Sequence, residues 1–237
     1  MIEHSLTSVK AGSREALPIV FGYLPIAFAY GVLGRAAGIP LWGIVFMSVI
    51  VFAGSAQFIA VSLLDQGASA VTLVVTTLLV NLRHLLYSSA LVPWVRGEKR
   101  GRLAWVAAEL TDESFVLLSR VGEREGHLRF PFIAGLQGAA QLTWVVGSVI
   151  GGTVGSLVRD PVELGLDYAL IAMFLGLLAL QIRKWGDLVV AGVASVVSIS
   201  MELAGADSYA VIVATLLAAG AGFFFNGAVS EEEEEAG

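Results

Sequence analysis

Three polar residues lie close together in a long apolar stretch, where polar side chains are costly. Asn81, Arg83 and His84 belong to the sequence NLRHLLY, which follows a run rich in valine and leucine. In an α-helix Asn81 and His84 would share one face, and Arg83 would share another with Tyr87. Ionisable groups inside membrane segments usually face a pathway or a partner, and an arginine can hold a substrate carboxylate through two hydrogen bonds. A position near the lipid headgroups is the alternative for Arg83.

A second polar group, FAGSAQF at residues 52–58, combines small residues with one amide. Gly54 and Ser55 allow backbones to approach closely, and Gln57 supplies two hydrogen-bond donors and an acceptor. Gly54 is a candidate helix break whose freed backbone groups would bind a ligand, because irregular backbone within a membrane must be buried or line a cavity. The alternative is a close helix crossing in which Gln57 bonds to a neighbouring helix.

Three acidic residues, Glu109, Asp112 and Glu113, lie within the otherwise apolar segment 103–119. If this segment is one helix, their spacing places all three on one face. The functional interpretation is a cluster that couples transport to protons or gates the pathway. The alternatives are an amphipathic helix whose acids face water, and a structural ion pair between Arg83 and Asp112 or Glu113.

Tyr23 and Pro25 lie inside the first apolar run of the chain. A proline within a helix removes one backbone hydrogen bond and kinks the helix. Such kinks occur at binding sites, but membrane helices also tolerate proline elsewhere, so the pair is a weak signal. By contrast, the motif Gly147-x-x-x-Gly151-x-x-x-Gly155 predicts a face on which two helices pack closely.

The composition indicates an integral membrane protein. Of the 237 residues, 57% are hydrophobic and only 14% are charged, whereas soluble proteins have about 25% charged residues. The formal net charge is −6, but five of the acids form the run Glu231–Glu235, so the rest of the chain is almost neutral. These values do not fit a disordered chain or a protein that binds nucleic acid.

The sequence contains no cysteine, three widely separated histidines and no nucleotide-binding or hydrolase motif. Disulfides, thiol catalysis and iron–sulfur clusters are therefore excluded, and we do not expect a structural metal. We also expect no cofactor, no bound nucleotide and no enzymatic activity.

Seven apolar runs are long enough to be membrane helices, because about 20 apolar residues cross a bilayer core. They cover approximately residues 16–34, 41–64, 68–95, 131–158, 162–182, 187–204 and 209–229. The sequence predicts an all-α polytopic transmembrane bundle of seven or eight segments, the eighth being 103–119, whose acids oppose a lipid-facing span. With seven spans and the N-terminus outside, ten basic loop residues lie inside and three outside, which agrees with the positive-inside rule.

We expect one transmembrane domain over residues 1–229, followed by a disordered acidic tail at 230–237. A pattern of two glycines and a proline recurs at an offset of 121 residues: Gly31, Gly34 and Pro40 match Gly152, Gly155 and Pro161. The halves 16–120 and 130–229 would then form an inverted repeat, an arrangement typical of transporters. Chance matches in a chain with 27 glycines are the alternative.

Four motifs, in their order and spacing, resemble the AzlC family. They are GYLPIAFAYG at 22–31, FAGSAQF at 52–58, NLRHLLYS at 81–88 and LTDESF at 110–115. They cover about the first half of the chain, and the second half is similar in length and hydropathy. One departure is Ala27, where glycine is expected in many members of the family.

The resemblance implies a multi-pass protein of the inner membrane that exports branched-chain amino acids such as valine. It also implies a small separate membrane partner of the AzlD type. A proton gradient would drive the export. The alternatives are a structural or regulatory membrane subunit whose partner carries out transport, and an exporter of another small solute.

The resemblance supplies no agreed set of functional residues, so the candidate positions are motif residues with a physical rationale. For substrate binding or the pathway these are Tyr23, Pro25, Gly54, Ser55, Gln57, Asn81, Arg83 and His84. For coupling or gating they are Glu109, Asp112 and Glu113. The carboxylate of an amino acid would meet Arg83 or the helix end near Gly54, and its ammonium group would meet Gln57, Asn81 or one of the acids.

Overall fold

A computed structural model describes most of the chain, as two compact units at residues 1–175 and 176–237. The described residues are 7–158, 165–168, 171–172, 175–176, 178–179, 182, 184–205, 213–214 and 216–222. Every regular element assigned among them is helical, which confirms the predicted all-α class. The acidic tail 230–237 lies outside the described residues.

Nine α-helices form the described part of the first unit. They are α1 (Val9–Glu15), α2 (Leu17–Ala36), α3 (Leu41–Ile50), α4 (Gly54–Asp65), α5 (Ala70–Asn81), α6 (Arg83–Leu91), α7 (Arg100–Ala108), α8 (Asp112–Glu125) and α9 (Phe130–Val154). Short 3-10 helices lie at Val92–Trp94 and Leu166–Tyr168. In the second unit, α10 covers Trp185–Leu203.

Four helical stretches of the described residues are long and apolar enough to cross a membrane. They are Leu17–Ala36, Ala70–Trp94, Phe130–Val154 and Trp185–Leu203. The expected number of seven or eight segments is therefore not confirmed. One reason is that two of the expected segments are each divided between two shorter helices. Another is that the expected segments 162–182 and 209–229 lie partly outside the described residues.

The expected segment 41–64 is divided because the backbone turns sharply at Phe52. Phe52 has a φ of 37°, in the left-handed region that residues other than glycine rarely adopt, and Ala53 is extended. Helix α4 then begins at Gly54, which confirms the predicted helix break. The side chain of Ala53 cannot accept a hydrogen bond, so it leaves the N–H groups in the first turn of α4 uncapped.

The expected segment 103–119 is divided because a capping box starts a new helix within it. The Oγ1 atom of Thr111 accepts a hydrogen bond from the Ser114 N–H at 3.3 Å. In return, Oγ of Ser114 accepts one from the Thr111 N–H at 2.8 Å. Helices α7 and α8 are therefore separate, since these bonds satisfy backbone groups that a continuous helix would use internally.

This break separates the three acidic residues of the segment. Glu109 follows the last residue of α7, whereas Asp112 and Glu113 occupy the first turn of α8. The prediction that all three share one face of one helix is therefore wrong. The first turn of a helix is where its dipole favours negative side chains, which suits Asp112 and Glu113 but not Glu109.

Among the described helices, α2 and α9 form the most extensive pair, and α9 approaches α2 through glycines. A Cβ atom added to Gly147 would lie 2.7 Å from Cβ of Ala27, and one added to Gly151 would collide with the carbonyl oxygen of Phe28. A Cβ atom added to Gly155 would lie 2.9 Å from Cα of Val32 in α2. The predicted packing face is therefore confirmed, and it places α2 and α9 in direct backbone contact.

The stretch Ala70–Trp94, which contains α5 and α6, exposes large apolar side chains. Its most hydrophobic part contains no buried residue. Val71, for example, is 73% exposed and Leu78 is 62% exposed. Such a surface is unfavourable in water and suits the hydrocarbon region of a membrane.

The glycine face gives a prediction about stability. Replacing Gly151 with alanine is expected to destabilise the protein by about 1–3 kcal/mol, because the backbone of α2 cannot retreat from the added methyl group. The matched control is Gly138→Ala in the same helix, where nothing lies within 4 Å of the added Cβ. That change is expected to stabilise by up to about 1 kcal/mol, since alanine favours helix.

The measurement is the melting temperature of the purified variants in detergent. It is determined from the loss of the monodisperse size-exclusion peak after heating to increasing temperatures. A Gly151→Ala variant that melts at or above the temperature of Gly138→Ala would contradict the role of this face.

Candidate functional site

The first turns of α4 and α8 contribute to one small polar cavity in the first unit. Its volume is about 10 Å³, room for about one water molecule. Its lining comes from α2, α6, α9 and the two helix breaks: Tyr23, Ala53, Gly54, Ser55, Arg83, His84, Thr111, Asp112, Glu113 and Trp144. Because two helix N-termini border the same cavity, their dipoles favour a negative group there.

Arg83 joins the beginnings of the two helices. Its Nη2 atom lies 2.9 Å from Oδ2 of Asp112 and also donates a hydrogen bond to Oγ of Ser55. The side chain of Asp112 is 8% exposed and that of Arg83 is 23% exposed. The expected structural alternative, an ion pair between Arg83 and Asp112, is therefore present.

Tyr23 connects α2 to the same end of α8. Its buried hydroxyl donates a hydrogen bond to Oε2 of Glu113 at 2.5 Å and lies 2.8 Å from Oγ1 of Thr111. Among the described residues, no cationic side chain forms an ion pair with Glu113. The two neighbouring acids therefore differ: Asp112 is paired with a cation, whereas Glu113 is bound to a neutral hydroxyl.

Trp144 of α9 forms one wall of the cavity. Its ring packs edge-on against Tyr23, with centroids 5.1 Å apart, and stacks on Tyr30 at 6.1 Å. A Cβ atom on Gly54 would lie 2.8 Å from Cη2 of the indole, so glycine at this position makes room for the tryptophan. The indole is almost completely buried.

Several polar atoms of the cavity residues are buried and make no hydrogen bond within the part of the chain that the structure describes. They include the donor Nε1 of Trp144 and the acceptor Oδ1 of Asp112. An unsatisfied buried polar atom costs about 1–3 kcal/mol, so each is a candidate contact for a bound molecule. The described residues contain no group of three or more His, Cys, Asp or Glu side chains that could hold a metal ion.

Gln57 and Asn81 do not line the cavity. Gln57 is buried in a separate polar cluster, where its Nε2 donates to Oγ of Ser48 at 3.4 Å. Ser48 donates in turn to Ser148 of α9 at 2.9 Å. This arrangement matches the alternative that Gln57 bonds to neighbouring helices at a close crossing. Asn81 is the last residue of α5.

Glu109 and Pro25 also lie away from the cavity lining. Nε2 of Gln141 donates to Oε1 of Glu109 at 3.1 Å and lies 3.3 Å from the carbonyl oxygen of Val49. Glu109 thus belongs to a contact between α9 and the ends of α3 and α7. Helix α2 continues through Pro25, whose side chain is exposed.

Sequence reasoning identified seven of the cavity residues as candidates and missed two with important contacts, Thr111 and Trp144. Thr111 followed by acids and by Ser114 is a helix-start signal, which an assumption of one continuous segment conceals. Trp144 lies in the middle of an apolar run, whereas tryptophan in membrane proteins is enriched at the interfaces. Its position far from both ends of the apolar run is the signal that could have identified it.

Comparison with known proteins gives a consistent result. The AzlC protein family matches residues 18–158, which is more than half of the chain. The "Branched-chain amino acid transport protein AzlC" of Bacillus subtilis is 32% identical over 71% of this chain and 65% of its own. The "Inner membrane protein YgaZ" of Escherichia coli is 30% identical over 73% of each chain. No solved structure matches.

A further relative from Helicobacter pylori, whose name describes only a membrane protein, is 31% identical over 76% of this chain and 78% of its own. The family match begins in α2 and ends after α9, so it includes every residue of the cavity lining. The names of the relatives and the exposed apolar helices both place the protein in the cell membrane. This chain belongs to the AzlC family.

Proposed function

We propose that this protein is a secondary transporter that exports branched-chain and similar small apolar amino acids, such as valine, across the inner membrane. It would work with a small AzlD-type membrane subunit. The observation that carries the proposal is the polar cavity at two helix breaks, which is lined by the cation Arg83 and the acids Asp112 and Glu113. Transport in the family supports it, since the Bacillus subtilis relative is named as a branched-chain amino acid transport protein.

The first turn of α4 and the neighbouring Arg83 suit a carboxylate. This turn has no side-chain cap from Ala53, and its Ser55 hydroxyl accepts a hydrogen bond from the guanidinium of Arg83. Backbone N–H groups and the helix dipole make such an N-terminus an anion site. An arginine strengthens it because charge-assisted hydrogen bonds are about twice as strong as neutral ones.

The two acids of the cavity suit an ammonium group. Oδ1 of Asp112 is a buried acceptor without a hydrogen-bond partner among the described residues, and Glu113 adds a second carboxylate beside it. A free amino acid carries both charges on adjacent atoms. The cavity therefore offers partners for both, whereas a neutral solute would leave its polar groups unsatisfied.

The aromatic wall would meet the side chain of the substrate. The cavity has a volume of only about 10 Å³, so an amino acid enters it only if the surrounding helices move apart, and the indole of Trp144 then offers the side chain an apolar surface. The partner subunit rests on the family resemblance. The outward apolar surface of α5 provides a face on which a second membrane protein can pack.

The first test of this function is release of labelled valine from proteoliposomes that contain the chain together with its small partner. We expect release to accelerate when a pH gradient is imposed, because the gradient is the proposed driving force. Liposomes with the partner alone are the control, and labelled glutamate, which carries an additional charge, is the substrate control.

Valine release at the same rate with and without the gradient would contradict proton coupling. No valine release by protein that is folded and inserted would contradict the substrate, and a broader screen of small solutes would follow.

The second test concerns Arg83. Replacing Arg83 with alanine is expected to raise the KM for valine by about ten- to a hundredfold, since hydrogen bonds to charged groups contribute about 1.5–3 kcal/mol. Arg83→Lys keeps the charge and is expected to show a smaller increase. The matched control is Arg102→Ala, which removes an exposed ion pair with Glu98 at 2.9 Å and is expected to leave the KM unchanged.

Initial transport rates at increasing valine concentrations give the KM, and size-exclusion chromatography checks that each variant is folded. An unchanged KM in folded Arg83→Ala would favour the alternative function, a structural subunit whose partner carries out transport.

A further inference from the structure

The two acids that share the cavity have different partners, and this difference suggests how substrate and protons are coupled. Asp112 is held by Arg83 at 2.9 Å, so its charge is compensated. Glu113 receives a hydrogen bond from Tyr23, which carries no charge. The carboxylate of Glu113 is therefore the acid of the pair that can gain or lose a proton without breaking an ion pair.

We propose that the Glu113 carboxylate binds either a proton or the ammonium group of the substrate, but not both at once. This inference rests on the proposed function and adds the residue at which protons and substrate compete. When Glu113 is ionised, the charges of Arg83, Asp112 and Glu113 sum to −1, which attracts an ammonium group. When Glu113 is protonated the sum is zero, and that attraction is lost.

The surroundings of Glu113 support this assignment from each side. The titratable and charged groups of the neighbouring elements are Tyr23, Arg83, His84, Tyr87 and Asp112. Of these, only Arg83 is a permanent cation, and Asp112 already accepts its Nη2 hydrogen bond. Tyr23 can donate to Glu113 in either protonation state, because only one of the two carboxyl oxygens receives its hydrogen bond. The tyrosine thus holds the carboxyl group in place while the proton exchanges.

The exchange balances without any other reactant. The protonated Glu113 carboxyl group loses its proton to water, and the carboxylate that remains accepts a hydrogen bond from the substrate ammonium group. In the reverse step, the ammonium group leaves and one proton returns to the carboxylate. Binding of one substrate molecule therefore releases up to one proton, and a proton gradient can drive substrate movement in the opposite direction.

Glu109 is the matched comparison for this proposal. It is also half-buried and belongs to the same chain segment, but it lies before the helix break and contacts Gln141 at 3.1 Å. It does not line the cavity. Neutralising Glu109 is therefore expected to leave the competition unchanged, which separates the effect of Glu113 from a general loss of negative charge.

The experiment is valine binding to the full chain purified with its small partner in detergent, in weakly buffered solution with a pH-indicator dye. For the wild type we expect release of up to about one proton per bound valine. The apparent Kd is expected to rise by up to about tenfold for each unit of pH decrease in the range where Glu113 is protonated. Glu109→Gln is expected to match the wild type.

Glu113→Gln mimics the protonated state, so we expect weaker binding with a Kd that does not change with pH and no proton release. Glu113→Asp keeps a carboxylate and is expected to restore proton release, which tests the proposal even if Glu113→Gln does not fold. Proton release by Glu113→Gln equal to that of the wild type would overturn the inference, as would valine binding by the wild type without proton release. Absence of valine binding by folded wild-type protein would instead overturn the proposed function.

Discussion

The contact of one guanidinium group with two helix beginnings is the interaction on which the candidate site depends. Within a membrane, interrupted helices are tolerated only where the freed backbone groups are satisfied or line a cavity. Arg83 contacts Ser55 in the first turn of α4 and Asp112 in the first turn of α8. It thereby links the two interruptions and keeps a positive charge between them. Without it, the acid at the start of α8 would be buried without a cation, which is strongly unfavourable.

The glycine face between α2 and α9 gives this arrangement its rigid frame. Because the two backbones touch, the side chains that these helices send to the cavity have fixed relative positions. Tyr23 from α2 and Trp144 from α9 pack edge-on, and Tyr23 reaches α8 through its hydroxyl. The packed pair α2 and α9 is therefore connected to Glu113 of α8 through the Tyr23–Trp144 ring contact and the Tyr23 hydrogen bond. A site built on such helices is held more accurately than one built on loops.

The three acids of the segment 103–119 show that position relative to a helix break decides which partner a carboxylate binds. Asp112 forms an ion pair, Glu113 binds a tyrosine hydroxyl and Glu109 binds an amide before the break. A continuous helix would have placed the three together as one negative cluster. The break instead separates an acid in an ion pair, the acid for which we propose proton exchange and an acid outside the cavity. A coupling mechanism needs this kind of difference, because equivalent acids would titrate together.

The sequence by itself determined the helical class, the membrane location, the family, the helix break at Gly54 and the packing face of Gly147 and Gly151. Each of these follows from local composition or spacing: apolar runs, small residues four apart and motifs in a fixed order. Only the tertiary structure decided that Arg83 meets Asp112, that Gln57 lies in another cluster and that Trp144 forms a wall of the cavity. These contacts join residues far apart in the chain, and no local pattern records which helix faces which. The predicted repeat and the single domain stay predictions.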